Sequence, residues 1–401
     1  MISWKSMCAK PLSSAINMLL VALGIGILTV LLLVVHQISA KLSNNAKGID
    51  LVVGAKGSPL QLILSSIYHI DFPTGNIPMV EAEKLMHHPW VKSAVPLALG
   101  DNYHGVRIVG TDSNFLKLYK LKIKTGKFWK HDFETTIGAR VAEEQSLKVG
   151  DYFYGSHGLT ENSSIHKNYA YKVTGILEPQ GNVTDNLILT NISSIWHMHN
   201  TSNDDHNHQH GEDYNETASN GHKEITTLLI QYRSPMAVVQ FPRMVNQSTN
   251  MQAASPATES TRLFSLIGVG IDTLQWFAVL IMAIAAISVF VNLYNSLKER
   301  NYDLAVMRIL GASRGKLFFI VIIEGIIVTV AGAFMGIALG HVVLEFIAHY
   351  QENSEAALTG LIIISDEIYL MVFGLTIGII AALFPALQAY CTPIDDVLKK
   401  N

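Results

Sequence analysis

The sequence predicts an α+β membrane protein with four transmembrane helices and a large extracytoplasmic α+β domain between helices 1 and 2. Two observations predict this class. One is a set of long apolar stretches without Lys, Arg, Asp or Glu; the other is a polar segment, 41–265, in which short β-like runs alternate with turns. The uncharged stretches are residues 11–40, 273–297, 325–344 and 368–394.

Each of these apolar stretches is long enough to cross a bilayer, because a helix needs about 20 apolar residues to span about 30 Å of hydrocarbon. The first stretch could instead be a cleaved signal peptide. It is too long for one, and no small-x-small cleavage site follows it, so we expect an uncleaved anchor. The predicted spans lie near residues 14–36, 270–295, 316–343 and 366–389.

The basic residues predict the orientation of the spans. The loop between the third and fourth spans, 344–365, contains no Lys or Arg. Since short cytoplasmic loops are enriched in Lys and Arg, we expect both termini and the 298–316 loop in the cytoplasm, and the 40–265 segment on the extracytoplasmic side. The basic residues on the cytoplasmic side are Lys5, Lys10, Lys298, Arg300, Arg308, Arg314, Lys316, Lys399 and Lys400.

The chain is predicted to have three parts: the cytoplasmic N-terminus with the first span (1–40), the extracytoplasmic domain (41–265), and a region with the last three spans (266–401). The extracytoplasmic domain contains no cysteine, since Cys8 and Cys391 both lie at cytoplasmic ends of spans, so it needs an apolar core. We expect a mostly antiparallel sheet, in two lobes. The β-like runs are 106–109, 169–173, 187–189 and 225–232, and helical patterns lie at 58–68, 79–87 and 112–120.

Residues 197–222 form a tract rich in histidine and acidic residues. In an extended chain, His-x-His places both imidazoles on one side, about 7 Å apart. A flexible loop can close such a pair around Zn²⁺, Cu²⁺ or Ni²⁺. The alternative is a solvated insertion between two strands, and no residue of the tract is expected in a core. The candidate metal ligands are His197, His199, His206, His208, His210 and His222.

The segment between the second and third spans is basic and amphipathic. Leu304, Met307 and Leu310 recur at every third residue, which predicts an apolar stripe along a helix. Because the segment can neither cross a bilayer nor form a domain alone, we interpret it as a docking element for a cytoplasmic partner.

Small residues in the third span predict close helix packing. Gly332, Gly336 and Gly340 repeat at intervals of four, so another helix can approach that face closely. Glu324 lies in the same span. We interpret it as an interhelical hydrogen-bonding anchor rather than a proton relay, because no second acid or histidine lies near it in the sequence.

Catalytic and cofactor-binding motifs are absent from the sequence. It contains no Gly-x-Ser-x-Gly and no His-Glu-x-x-His. The string nearest to a phosphate-binding loop, 311–317, is one residue short and lacks the hydroxyl that would hold Mg²⁺. We therefore do not expect this chain to hydrolyse ATP, and its net charge of −3 gives no argument for nucleic acid.

Two sets of motifs resemble known families. The run 297–313, with Glu324, Gly325 and the glycine repeat, resembles the signature of FtsX-type ABC transporter permeases, and the ending 384–398 is similar to that family's closing motif. Residues 48–78 and the histidine tract depart from the pattern, which leaves the substrate open. Segments that resemble the MacB-like periplasmic core, in the family's order, are 109–112, 126–128, 147–151 and 171–177.

The resemblance implies a dimeric permease of the MacB/LolC/LolE type, in the plasma (inner) membrane of a bacterium, that acts by mechanotransmission. A separate cytoplasmic ATPase of the MacB/LolD kind would bind ATP and Mg²⁺, and the first spans would pass its motion to the extracytoplasmic domains for export or extraction of a substrate. The second permease copy could be identical or not, and a membrane-fusion or periplasmic protein is a further expected partner. The ATPase-contacting residues would be Asp303, Leu304, Met307, Arg308, Leu310, Gly311, Ala312 and Ser313.

Two other functions fit the same sequence. One is a non-transporting FtsX-like regulator of a cell-envelope hydrolase or a sensor kinase. The other is a metal-binding membrane protein without an ATPase partner, in which Zn²⁺ or another divalent metal binds at the histidine tract. Co-purification of an ATPase in mild detergent would distinguish the permease from the last of these.

Overall fold

The computed structural model describes residues 11–157, 165–202, 223–299, 306–350 and 358–391. The chain divides into two compact units. The first, called here the membrane unit, comprises Met1–Ser39 and Leu266–Asn401; the second, called the α+β unit, is Ala40–Ser265.

The described elements follow one another in an order that places the strands between the first helix and the last three long ones. The helices are α1 (Pro11–Asn45), α2 (Pro59–Ser66), α3 (Met79–Met86), α4 (Ser113–Leu118), α5 (Ala139–Glu144), α6 (Ile192–Ser202), α7 (Ala237–Ser248), α8 (Pro256–Glu299), α9 (Arg314–Tyr350) and α10 (Glu367–Cys391). The strands are β1 (Leu51–Ala55), β2 (Ile77–Pro78), β3 (Val91–Tyr103), β4 (Val106–Thr111), β5 (Ile123–Gly126), β6 (Glu134–Ile137), β7 (Tyr152–His157), β8 (Ile165–Leu177), β9 (Ile188–Asn191), β10 (Glu224–Ile225), β11 (Thr227–Tyr232) and β12 (Met251–Ala254).

The four long helices confirm the predicted spans. In the described part of the chain, α1, α8, α9 and α10 are long and apolar enough to cross a membrane. The helices α1, α8 and α9 each contain the predicted span and extend beyond it at both ends, whereas α10 begins one residue after the predicted start at 366 and ends two residues beyond the predicted end. The predicted class, four transmembrane helices with an α+β domain after the first, is therefore correct.

The described strands of the α+β unit form one ten-stranded sheet and a separate two-stranded pair, and the unit is a single compact body rather than the two lobes that its length predicts. The order along the main sheet is β12-β1-β11-β3-β4-β9-β6-β8-β5, with β7 paired to β3 and β8. Parallel pairs among the described strands are β4 with β9 and β6 with β8, and the rest are antiparallel. The expectation of a mostly antiparallel sheet is confirmed.

Helices cover both faces of this sheet at its β1 end, so that β1 is buried on both sides. Val52 joins a cluster with Leu62 and Ile63 of α2. Leu51 and Val53, on the opposite face, join a cluster with residues of α3 and α7, including Phe241. Successive side chains of a strand point to opposite faces, and a strand covered on both faces reads as a continuous apolar run.

Local capping explains where the short helices begin. Ser58 precedes α2 and its hydroxyl accepts a hydrogen bond from the backbone N–H of Gln61 at 3.4 Å, with Pro59 at the first helical position. Asp112 precedes α4 and accepts from the N–H of Asn114 at 2.9 Å. The predicted helices at 58–68, 79–87 and 112–120 correspond to α2, α3 and α4.

Candidate functional site

In the membrane unit, α1 packs against α9 along the glycine repeat. A Cβ added at Gly336 would lie 2.7 Å from the carbonyl oxygen of Ala22, and one added at Gly332 would lie 2.8 Å from Cβ of Val21. Real Cβ atoms do not approach so closely, so these helices contact each other through backbone. Gly340 packs in the same way against Thr29.

Hydrogen bonds between polar side chains join α1 to α8 inside the membrane unit. The hydroxyl of Ser288 donates to Oδ1 of Asn17 at 2.6 Å, and the hydroxyl of Ser13 donates to Oδ1 of Asn292 at 2.8 Å. Asn17 is 2% exposed, and polar groups at membrane depth need protein partners because lipid offers none. The first part of α1 is therefore held by both α8 and α9.

The last turn of α1 belongs to the α+β unit and is held there by other side chains. The hydroxyl of Tyr68 donates to the carbonyl of Leu42 at 3.3 Å, and that of Tyr119 donates to the carbonyl of Asn45 at 3.1 Å. Oδ1 of Asn45 accepts from the backbone N–H of Val183 at 2.9 Å. The last carbonyls of a helix lack intrahelical donors, so the bond from Tyr119 satisfies a carbonyl that the helix end leaves open, whereas the carbonyl of Leu42 also accepts from the N–H of Ala46 at 3.2 Å.

Tyr68 also joins the start of α8. Its oxygen lies 3.1 Å from the hydroxyl of Ser260, within the α+β unit. Burial raises the pKa of Tyr68 and that of Tyr119, so both phenols keep their protons and remain donors at physiological pH. We call Tyr68, Tyr119 and Asn45 the helix anchor. Sequence analysis did not find them, because their roles depend on contacts between residues far apart in the chain.

The predicted docking element between the second and third spans is called here the docking segment, residues 303–313. The structure describes it from residue 306 onward, so Asp303 and Leu304 lie outside the described residues. Residues 306–309 are helical, and the helix ends at Gly311, whose φ of +98° suits glycine. The N–H of Ala312 bonds the carbonyl of Met307 at 2.9 Å, and that of Gly311 bonds the carbonyl of Arg308 at 3.0 Å, which closes the turn.

The sequence pattern predicts that Met307 and Leu310 share one exposed face. In the structure they do not. Met307 is half-buried and packs with Leu297, Leu317 and other residues of the membrane unit. Leu310 is 81% exposed and Ile309 is 59% exposed. The predicted stripe is therefore divided. Met307 packs on the membrane unit, while Ile309 and Leu310 are exposed and available to a partner.

Of the predicted metal ligands, the structure describes the side chain of His197 alone. His199 lies in α6 without a described side chain, and His206, His208, His210 and His222 lie outside the described residues. Nε2 of His197 lies 3.9 Å from Oδ2 of Asp132, whose other oxygen accepts hydrogen bonds from the side chains of Asn191 and Ser193. No cluster of three or more candidate metal ligands occurs among the described residues.

The expectation that no residue of the histidine tract joins a core is wrong for Met198. This side chain is 2% exposed and packs with Ile108, Phe153 and Tyr171. The physical reason is that α6 continues to Ser202, so the first residues of the tract are helical and one face of that helix packs on the sheet. His197, next to Met198, points outward with 59% of its side chain exposed.

Glu324, the predicted interhelical anchor, is half-buried in α9. The next residue of α9, Gly325, approaches α10 closely, since a Cβ there would lie 2.7 Å from Cβ of Ala382. Thr329 is buried and bonds back to the carbonyl of Gly325 at 3.0 Å. The α9 helix thus contacts α1 on one side and α10 on another.

Taken together, these features define a multi-pass membrane protein whose α+β unit follows the first of four spanning helices. A model of the MacB-like periplasmic core domain matches residues 14–247, and a model of the FtsX-like permease C-terminal domain matches residues 276–394. The chain belongs to the FtsX-like, MacB-like family of ABC permeases.

No curated protein sequence matches the chain. Among solved structures, it is similar to the periplasmic region of MacB from Actinobacillus actinomycetemcomitans, with 10% sequence identity and a TM-score of 0.34. That match covers 56% of this chain and 97% of the solved chain. Family membership therefore rests on the two family matches.

Proposed function

We propose that the chain is the permease subunit of an ABC transporter of the mechanotransmission type. A separate cytoplasmic ATPase hydrolyses ATP, and this chain converts the ATPase's motion into a conformational change of its α+β unit, for export or extraction of a substrate. The permease works as a dimer in the plasma membrane, with both termini and the 306–313 segment in the cytoplasm and the α+β unit outside.

One observation carries this proposal: α1 is fixed independently at its two ends. Ser13, Asn17 and the contact with Gly336 hold its first part in the membrane unit. The helix anchor holds its last turn in the α+β unit through Tyr68 and Tyr119. A helix held in this way can transmit a displacement, because neither end can move without pulling on the residues that hold it.

The exposed residues of the docking segment support an ATPase as the partner. Ile309 and Leu310 are both exposed, and Arg308 beside them carries a positive charge. Apolar anchors with flanking charges are typical of a helix that seats in a groove of another protein. Met307 fixes the segment on the membrane unit, so force on Leu310 would reach the spanning helices.

A helix break between the two ends of α1 tests transmission. Ala40 is exposed in α1, so Ala40→Pro should remove a helical hydrogen bond without disturbing either packed end, at a cost of about 3 kcal/mol to the helix. Ser39→Ala, at the neighbouring exposed position, is the matched control because it preserves the helix.

The measurement is hydrogen exchange of the α+β unit in the reconstituted complex, with and without a non-hydrolysable ATP analogue. We expect the wild type and Ser39→Ala to show a nucleotide-dependent change in exchange around residues 42–49. Ala40→Pro should retain the ATPase on co-purification and lose this change. An unaltered nucleotide response in Ala40→Pro would contradict transmission through α1. If no ATPase co-purified with the wild type, the proposed function as an ABC permease subunit would be contradicted.

We further propose that the histidine tract binds a divalent metal such as Zn²⁺ as an accessory property of the α+β unit. The observation that favours it is the pairing of exposed His197 with Asp132 at 3.9 Å, at the point where α6 leads into the tract. An imidazole beside a carboxylate supplies two ligands of the kind that Zn²⁺ accepts. Further tract histidines would supply the remaining ligands.

A further inference from the structure

The segment that leads into α10 folds back onto the spanning helices. Ile364 is 7% exposed and packs with Leu33 of α1 and Leu344 of α9. Leu33 lies within the predicted span 14–36, at about its last turn. Residues 358–364, called here the 358–364 loop, therefore pack beside the last turn of the predicted first span.

Side chains from three helices satisfy the backbone of this loop. The side-chain amide of Gln37 donates to the carbonyl of Thr359 at 2.7 Å and accepts from its N–H at 2.9 Å. The carboxylate of Glu345 accepts from the N–H of Gly360 at 2.7 Å, and Nδ1 of His341 donates to the carbonyl of Gly360.

The opposite end of the loop is held in the same way. Glu367 accepts from the N–H of Ile364 at 2.9 Å and lies 3.2 Å from Nε2 of His341. Gln37 is 5% exposed and Glu367 is 7% exposed. Irregular backbone persists at membrane depth only where protein groups satisfy it, because lipid supplies neither donors nor acceptors. The polar side chains around the loop meet that requirement at Thr359, Gly360 and Ile364, on both sides of the tip.

The tip of the loop is apolar and exposed among the residues that the structure describes. Leu361 is 79% exposed and Ile363 is 82% exposed. Their backbone is fixed on both sides by the bonds above, so these side chains are held outward. The exposed surface beside them is also apolar and belongs to spanning helices, with Val342 of α9 at 64% and Ile368 of α10 at 65% exposure. The tip continues the surface that faces lipid.

We propose that Leu361 and Ile363 insert among the phospholipid acyl chains of the adjacent leaflet, which is the outer leaflet in the orientation proposed above. The partner is lipid because the tip lies at the edge of the predicted span, the backbone on both sides of it is held by protein groups, and its apolar surface is continuous with that of α9 and α10. The inserted tip fixes the depth of the α9–α10 pair in the bilayer. This inference requires no ATPase and does not depend on which side is cytoplasmic.

The test is spin-label accessibility in the full-length protein. Cys8 and Cys391 are replaced by Ser, and single cysteines at Leu361 and Ile363 are labelled with a nitroxide after reconstitution into phosphatidylethanolamine–phosphatidylglycerol vesicles. Collisions with oxygen report lipid, and collisions with a water-soluble nickel chelate report water. Phe334→Cys, exposed on α9, is the lipid control, and Lys92→Cys, exposed on β3, is the water control.

We expect both loop labels to show an oxygen-to-nickel collision ratio close to that of the Phe334 label and well above that of the Lys92 label. A ratio like that of the Lys92 label would place the tip in water and overturn the proposal. Low collision rates with both reagents would mean that a second copy or another protein covers the tip, which would also overturn it. Both positions are exposed, so labelling should not disturb folding. If the Leu361 and Ile363 labels give the same result, a disturbance caused by one label is excluded.

Discussion

The phenol oxygen of Tyr68 lies 3.1 Å from the hydroxyl oxygen of Ser260 and also donates to the carbonyl of Leu42. One side chain thus joins the last turn of α1 to the first turns of α8, although these two helix ends lie at opposite ends of the α+β unit in the sequence. Any relative movement of the two helix ends must strain or break this pair of bonds.

The first prediction concerns the helix anchor. Tyr119→Phe removes the hydrogen bond to the carbonyl of Asn45 and leaves that acceptor without its side-chain donor. We expect a loss of about 0.5–1.5 kcal/mol in stability and faster hydrogen exchange at residues 42–49. Tyr152→Phe is the matched control, because Tyr152 is 63% exposed. Equal exchange rates in both variants would show that the bond to Asn45 does not hold the helix end.

The second prediction concerns the packing of α1 against α9. Gly336→Ala places a methyl group 2.7 Å from the carbonyl of Ala22, so the helices must separate. We expect a loss of about 1–3 kcal/mol, measured as a lower thermal midpoint of the detergent-solubilised protein. Gly270→Ala meets nothing within 4 Å and should be neutral or stabilising, since Ala favours helix over Gly. A neutral Gly336→Ala would contradict the backbone contact.

The third prediction separates the two apolar residues of the docking segment. Leu310→Asp should weaken ATPase binding at least about tenfold, equivalent to about 1.4 kcal/mol, while leaving the permease folded. Met307→Asp places a charge in the packed cluster with Leu297 and Leu317, so it should lower thermal stability as well.

Val149→Asp adds the same charge at a partly exposed position of the α+β unit and should leave ATPase binding unchanged. The measurement is the amount of ATPase retained on the immobilised permease at several ATPase concentrations. Full retention by Leu310→Asp would place the contact elsewhere in the cytoplasmic surface.

The fourth prediction is a pH dependence of stability. Burial, with a smaller contribution from Arg107, lowers the pKa of His69 to about 3, and its side chain is 3% exposed. In the unfolded chain the pKa is about 6.5, so the unfolded state binds a proton below that pH while the folded state does not. The part of the unfolding free energy that depends on His69 is therefore fully present above pH about 6.5. It is lost as the pH falls below this value, by about 2 kcal/mol at pH 5.

His69→Asn should remove this contribution to the pH dependence. Asn tolerates the positive φ of +56° at this position, does not titrate, and leaves the backbone carbonyl that accepts from Nε of Arg107. The measurement is denaturant unfolding at pH 7 and pH 5, followed by tryptophan fluorescence. The same loss of stability between these pH values in wild type and variant would show that His69 is not the titrating group.

The fifth prediction concerns the histidine tract. Deleting residues 203–222 should remove tight Zn²⁺ binding from the full-length protein while preserving the fold, because Met198 and the rest of α6 remain. Affinity should fall as the pH drops through about 6.5, since imidazoles bind metal in the neutral form. Isothermal titration with Zn²⁺ is the measurement, and His87→Ala, at an exposed histidine outside the tract, is the control. Affinity no tighter than micromolar in the wild type would leave the tract as a solvated insertion.

The spans and several helices could be predicted because their signals are local. An uncharged stretch such as 11–40 has few alternatives to a membrane helix, and the caps at Ser58 and Asp112 mark helix starts within a few residues. The same holds for the glycine repeat of α9, whose spacing alone predicts one close-packed face.

The remaining features depend on contacts between distant residues. The bonds from Tyr119 to Asn45 and from Gln37 to Thr359 join residues that no sequence period relates. The division between Met307 and Leu310 depends on which face of a short helix meets the membrane unit, and a repeat of every third residue fits either face. Met198 was missed because a tract rich in His and Asn gives no sign that α6 continues into it.

Strands β1 and β12 lie side by side, with Val52 paired to Ala254 and Ala55 paired to Met251. The chain enters the α+β unit just before β1 and leaves it just after β12, so its entry and exit points are neighbours at one edge of the sheet. A unit with adjacent ends can be inserted into another protein, or replaced by a relative, without displacing the segments on either side. An exchange of this unit between relatives would therefore have to match two neighbouring junctions, one at the end of α1 and one at the start of α8, where Tyr68, Tyr119 and Ser260 form their contacts.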